Sequence, residues 1–239
     1  MPSHIVSAFD QELQQLAKTV AAMGGHAERM VDRAVAALVS GDLSLAQKVI
    51  RDDIVLDEAQ RDIDDRAIVL IAKRQPMAND LREMIGAIRI SSDLERVGDL
   101  GKNIAKRVPA VTELSQPVRL YRGLGALAEL ALTQLKEVLD TYASRSAERI
   151  DFVRDRDGEI DAMYTSLFRE LLTYMMEDPR NITACTHLLF CAKNIERIGD
   201  HATNIAETVY FIVTGEQMPG ERAKVDSSHR VVVTGEAAE

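Results

Sequence analysis

Residues 93–107 read DLERVGDLGKNIAKR, and residues 194–208 read NIERIGDHATNIAET. Between positions 94–106 and 195–207, seven of thirteen residues are identical at a constant offset of 101. The identities are Glu95/Glu196, Arg96/Arg197, Gly98/Gly199, Asp99/Asp200, Asn103/Asn204, Ile104/Ile205 and Ala105/Ala206. Chance agreement would run at about one position in fifteen, so the chain is an internal duplication. A fainter pair lies upstream, Asp53-Ile54-Val55-Leu56-Asp57 against Asp157-Gly158-Glu159-Ile160-Asp161, at an offset of 104. One longer hairpin loop supplies the change in offset.

Outward from these motifs, the sequence is rich in Ala, Leu, Ile, Glu, Asp and Arg with helical periodicity, and it has no convincing strand alternation. The period predicts six long helices near 6–40, 43–73, 78–107, 118–142, 146–176 and 181–213. Gly41-Asp42 stops the first, because Gly suits a C-terminal cap and Asp an N-cap. Pro76 and Pro179 each break a helical hairpin, with Asn79 and Asp80 suited to the positive start of the helix after Pro76. The fold class is therefore all-α, two tandem three-helix bundles related by the repeat. The first repeat spans 1–108 and a linker bracketed by Pro109 and Pro117 spans 109–117. The second repeat spans 118–214, and a polar tail with a Val231–Val233 run spans 215–239.

Composition narrows the function. The 239 residues carry 29 Lys plus Arg against 38 Asp plus Glu, a net charge of −9. That balance disfavours nucleic-acid phosphates and anionic membrane faces as partners. Aromatics are 4% and Trp is absent, so stacking platforms for bases or sugars are scarce. Cys185 and Cys191 have neither CxxC spacing nor the numbers for a disulfide framework and read as reduced, part-buried thiols. With no signal-peptide pattern at Met1-Pro2-Ser3-His4 and no long apolar run, the expected location is cytoplasmic.

The chemistry sits in acidic pairs. Residues at i and i+4 share a helix face, so each D-x-x-x-D or E-x-x-x-D points two carboxylates the same way. Asp53 interrupts the stripe Val49, Leu56, Ile63, Ala67, Leu70, and Asp157 interrupts Val153, Ile160, Leu167, Leu171. An Asp stands in each copy where the core expects an apolar residue. Glu95 and Glu196 flank the stripes of the third and sixth helices beside Gly98 and Gly199. A matched Gly, unfavourable by about 1 kcal/mol in a helix interior, suggests room kept for something bulky near the acids. Carboxylates converging between helices need compensation. Two readings stay open: a hard or borderline cation such as Mg, Ca, Mn or Fe, or a structural network with Arg96 and Arg197. An isolated pair would simply be a solvated face softened by Lys102 or Arg154.

Other residues carry less. Asn103 and Asn204 lie one turn beyond each acid pair and could support a ligand or bond a neighbouring helix. His201 matches Leu100, which argues against a shared ligand role, and His26 and His187 stand alone as surface or packed histidines. Met84, Met163, Met175 and Met176 read as core filler. No phosphate-binding glycine loop, Glu-x-x-His pair, G-x-S-x-G elbow or activated-Cys motif occurs, so the chain reads as a non-enzyme.

The paired LERVGDLGKNIA and IERIGDHATNIA segments, the RQPMANDLR turn (74–82) and the opening HIVSAFDQEL (4–13) resemble the PhoU family of phosphate-uptake regulators. The resemblance covers residues 4–213. It implies a homodimer with multinuclear metal clusters of iron or zinc, manganese or magnesium being alternatives. Carried over, the first cluster would use Asp53, Asp57, Glu95 and Asp99, and the second Asp157, Asp161, Glu196 and Asp200. His201 departs from its counterpart Leu100, so the two sites would differ if a histidine assists. The resemblance also implies negative regulation of the phosphate-starvation response. The chain would be an adaptor between the ATPase subunit of a phosphate ABC transporter and a sensor histidine kinase, reaching the membrane only through these partners. The rival of another class is a metal-dependent phosphate-ester hydrolase. A hydrolase would need an open cation position beside a pocket of phosphate donors, whereas an adaptor would carry its clusters on a broad helix face.

Overall fold

The computed structural model describes residues 2–113, 118–147 and 149–219. They form α1 (Pro2–Ser40), α2 (Leu43–Arg74), α3 (Asn79–Ala105), α4 (Val108–Thr112), α5 (Val118–Ser144), α6 (Ile150–Glu177) and α7 (Ile182–Thr214). A 3₁₀ turn, Pro179–Asn181, precedes α7, and no strand occurs among the described residues. The all-α expectation and the repeated helix order hold. No described helix is long and apolar enough to cross a membrane.

Three hairpins form where the sequence places a breaker, whereas the turn from α5 to α6 has neither Gly nor Pro and puts Arg145 at φ +51°. Gly41 takes φ +70°, and Asp42 Oδ1 accepts from the Leu45 N–H at 2.9 Å, so one residue ends α1 and the next starts α2. Gln75 closes α2 in the left-handed region, its N–H donating to Ile71 O at 3.1 Å, before Pro76 forbids continuation. Between α6 and α7, Asp178 Oδ1 accepts from the Arg180 N–H at 2.9 Å, and Pro179 opens the 3₁₀ turn. The stretch predicted as a linker begins with helix instead. Pro109 sits in the first turn of α4, where its missing N–H leaves no bond unmade, and Val108 and Val111 are buried. Pro117 and the Val231–Val233 run lie outside the described residues.

Helices α1, α2 and α3 pack on one another, as do α5, α6 and α7. The halves then join along two seams, α1 against α5 and α3 against α7, so one core runs through both. The stripe Leu16, Val20, Met23, Ala27, Met30, Val31, Ala34, Leu38 on α1 is buried throughout. Each large aliphatic side chain so buried contributes about 1.5–3 kcal/mol. Met84 is core, as expected, but Met176 is 54% exposed because α6 turns that position to solvent.

Candidate functional site

The first acidic cluster lies between α2 and α3. Asp53 and Asp57 come from adjacent turns of α2, and Glu95 and Asp99 from adjacent turns of α3. Lys102, on the next turn of α3, donates to Asp53 and, at 3.1 Å, to Asp99 Oδ1. Its ammonium therefore ties the two helices together. The exposed Arg96 reaches Asp99 Oδ2 at 3.1 Å and Glu95 Oε2 at 3.4 Å. Burial, then the charges of Asp99 and Asp57, push the Glu95 carboxyl above its ordinary value, with Arg96 opposing. The hydrogen bond to Asp53 holds Lys102 above the usual lysine range.

The second cluster lies between α6 and α7 and is drier. Asp157, Asp161 and Glu196 are 4%, 5% and 5% exposed, whereas in the first cluster only Asp53, at 6%, is buried. At the repeat position of Lys102 stands Thr203, whose hydroxyl donates to Asp157 Oδ1 at 3.2 Å. Thr203 in turn accepts from Gln134 Nε2 at 3.0 Å, and the same amide donates to Val153 O at 2.8 Å. Lys193 donates to Glu196 Oε1 at 2.8 Å. Glu196 Oε2 is buried with no hydrogen-bond partner among the described residues. Burial raises the Glu196 carboxyl, Lys193 lowers it, and the charges of Asp200 and Asp161 raise it further.

All eight predicted acids thus gather four by four, each set on two facing helices. Among the described residues, no three carboxylate, thiol or imidazole groups close on one point as they stand. The donor chemistry nonetheless suits a hard cation: oxygens only, partly dehydrated, with one buried carboxylate oxygen unbonded. Of the arginines in the structural alternative, Arg96 takes part and Arg197 is solvent-exposed.

One expectation is corrected, and His201, Asn204 and Asn103 are placed. The room beside Gly98 and Gly199 is not kept for a ligand. A Cβ on Gly98 would lie 2.2 Å from Leu56 Cδ1, and one on Gly199 would lie 3.0 Å from Ile160 Cδ1 and 3.1 Å from Gln134 Oε1. These glycines admit the side chain between the two aspartates of the facing helix. His201 does not approach its neighbouring cluster; its Nδ1 lies 2.8 Å from Asp93 Oδ1 on α3. Asn204 Nδ2 donates to the same oxygen at 3.4 Å, so this asparagine joins the halves. Its counterpart Asn103 points into a cleft across the same seam, lined also by Lys106, Arg107, His187 and Asn194. The bridging role of Lys102 and the reach of Gln134 from α5 carry no sequence signature beyond the mismatch Lys102/Thr203.

A family model described as PhoU domain matches residues 20–108 and 124–209. The chain is 69% identical to a phosphate-specific transport system accessory protein PhoU homolog of Rhizobium meliloti, over 94% of each chain. It is 49% identical to a homolog of the same description from Caulobacter vibrioides, over 95% of this chain and 98% of that one. The crystal structure of PhoU from Pseudomonas aeruginosa superposes with a TM-score of 0.84 at 37% identity, over 87% of this chain and 100% of that chain. The crystal structure of the phosphate transport system regulatory protein PhoU from Streptococcus pneumoniae gives 0.82 at 29%, over 88% and 99%. With both halves matched and near-full-length relatives on either side, the chain belongs to the PhoU family.

Proposed function

We propose that this chain is a non-catalytic regulatory adaptor of phosphate uptake. It acts as a negative regulator of the phosphate-starvation response, coupling the ATPase subunit of a phosphate ABC transporter to a sensor histidine kinase. In this reading it works in the cytoplasm as a homodimer, and reaches the membrane only through its partners. The regulatory part rests on relatives named as phosphate transport accessory and regulatory proteins. The observation that carries the site is the duplication itself: the same four acids recur at matched positions, facing each other between two helices in each half.

In the same reading Asp53, Asp57, Glu95 and Asp99 hold one multinuclear cluster, and Asp157, Asp161, Glu196 and Asp200 the other. Iron or zinc are the candidate metals, manganese or magnesium the alternatives. When bound, the cations supply positive charge that cross-links paired helices and offsets desolvated carboxylates. The chain's own residues set the cost of entry. In the first cluster the Lys102 ammonium must give up Asp53 and Asp99 before a cation takes its place. In the second, the Thr203 hydroxyl donates to Asp157 Oδ1 and the Lys193 ammonium must give up Glu196 Oε1, while Glu196 Oε2 offers an unbonded oxygen.

The hydrolase alternative needs a cation position and phosphate donors in one pocket. Here the cleft of Asn103, Lys106, Arg107, His187 and Asn194 contains none of the eight carboxylates, which favours the adaptor. The test is metal content by elemental mass spectrometry on protein purified without an affinity tag, beside Glu95→Ala/Asp99→Ala and Glu196→Ala/Asp200→Ala. More than one equivalent of metal in wild type, with each double variant losing its share, is the expected result. Protein that stays metal-free after reconstitution defeats the site assignment and leaves the acids as structure.

A further inference from the structure

We propose that the cleft across the α3–α7 seam, lined by Asn103, Lys106, Arg107, His187 and Asn194, binds a small phosphate-type oxyanion from solution. Its lining is made of donors. Lys106 and Arg107 are permanently cationic at neutral pH, and Asn103 and Asn194 each offer an amide N–H₂. Arg107 Nη1 lies 3.1 Å from His187 Nδ1. A guanidinium can only donate, so Nδ1 accepts, and the proton of the neutral imidazole sits on Nε2 as a further donor. The Arg107 guanidinium also rests 4.1 Å from the centre of the Phe190 ring, so it is held between two partners without being neutralised. Among the described residues neither Lys106 nor Arg107 forms an ion pair, and no carboxylate lines the cleft. That is unusual in a chain of net charge −9.

The repeat provides an independent control. At the offset of 101, Asp93 becomes Asn194, Lys106 becomes Glu207, and Arg107 becomes Thr208. On one side of the seam Asp93 is the fixed anion, satisfying His201 and Asn204. On the other side an amide stands in the place of that carboxylate and two cations are added, so the anion has to come from outside. Five donor groups from α3, the turn that follows it and α7 match a tetrahedral oxyanion, which accepts on several sides, better than a planar carboxylate with two oxygens.

The experiment is calorimetry and thermal melting of the full chain with inorganic phosphate. It is run at constant ionic strength in excess chelator, with acetate as control, on wild type, Asn194→Asp and Lys106→Ala. Saturable phosphate binding by wild type is expected, raising the melting temperature by about 3–5 °C at a tenfold excess over the dissociation constant. Asn194→Asp, which restores the carboxylate found at Asp93, should weaken binding at least tenfold, and Lys106→Ala severalfold. No saturable binding at millimolar phosphate, or equal binding by Asn194→Asp, overturns the proposal. A response that vanishes in chelator also overturns it, because the anion then sits on a metal. Vesicles containing phosphatidic acid form the second arm. Their failure to co-sediment the protein supports the free ion, and co-sedimentation without a response to phosphate overturns it.

Discussion

The two acidic clusters descend from one motif, yet they place their counter-ions differently. The first carries its own counter-ion, Lys102, bound to one aspartate on each helix, and leaves Asp57, Glu95 and Asp99 partly in water. The second has the Thr203 hydroxyl, relayed to Gln134, at that repeat position, takes an ammonium from Lys193 on Glu196, and buries three of its four acids. An internal cation makes a cluster stable as it stands and resistant to an external one. The Thr203 hydroxyl satisfies one oxygen of Asp157 and itself brings no positive charge, which in this cluster comes from Lys193. Duplication has kept the acids while the ammonium has moved from Lys102, one turn after Asp99, to Lys193, one turn before Glu196.

Matched core positions calibrate the comparison. Ile104→Ala and Ile205→Ala are each expected to cost about 2–5 kcal/mol in denaturant unfolding, since both side chains are fully buried. Costs that differ widely would mean that the two bundles do not share equivalent cores. The glycines should separate the copies: Gly98→Ala drives a Cβ to 2.2 Å from Leu56 and should cost about 1–3 kcal/mol. Gly199→Ala meets Ile160 only at 3.0 Å and gains about 1 kcal/mol of helix propensity, so it should stay near neutral. Exchange at the repeat position of Lys102 and Thr203 is the sharpest break. Thr203→Lys should lower metal retention at the second cluster more than tenfold, about 1.4 kcal/mol, and Lys102→Thr should raise it at the first. Competition against a chromophoric chelator reads both, and unchanged affinities would remove Lys102 from the account.

The smallest effect concerns Glu196 in metal-stripped protein. Its carboxyl is raised by burial above the ordinary 4.5. The folded chain therefore binds that proton more tightly than the unfolded chain does, and this group stabilises the fold as pH falls from neutral toward 4.5, with no further gain below. Glu196→Gln, which mimics the protonated form, should be up to about 1 kcal/mol more stable than wild type at neutral pH. That gap should close on acidification through the same window. A variant less stable than wild type at neutral pH would show that the Lys193 bond outweighs the burial.

The acids at Asp53 and Asp157 were legible because a carboxylate in an apolar stripe breaks a period that the rest of the helix obeys. Three hairpins were legible because Gly41, Pro76 and Pro179 each have a specific backbone consequence. The seam was not. Nothing in a helical period tells that α3 lies on α7, and so His201 and Asn204, which read as neighbours of the second cluster, turn to Asp93 of the other half. Gly98 and Gly199 misled for a related reason: a glycine announces a close approach but not what approaches, and here it is Leu56 and Ile160.

Helix α7 has 33 residues and so runs for about 50 Å. His187 and Asn194 of the cleft, Glu196 and Asp200 of the second cluster, and His201 and Asn204 of the seam are strung along this single rod. A helix resists compression, so displacement at one station is passed to the next instead of being absorbed. An anion at one and a cation at another would then load the same beam. Linkage requires that each change the affinity of the other by an identical factor. Chelator competition with and without phosphate should reveal that factor, and a value of one would make the rod a bystander.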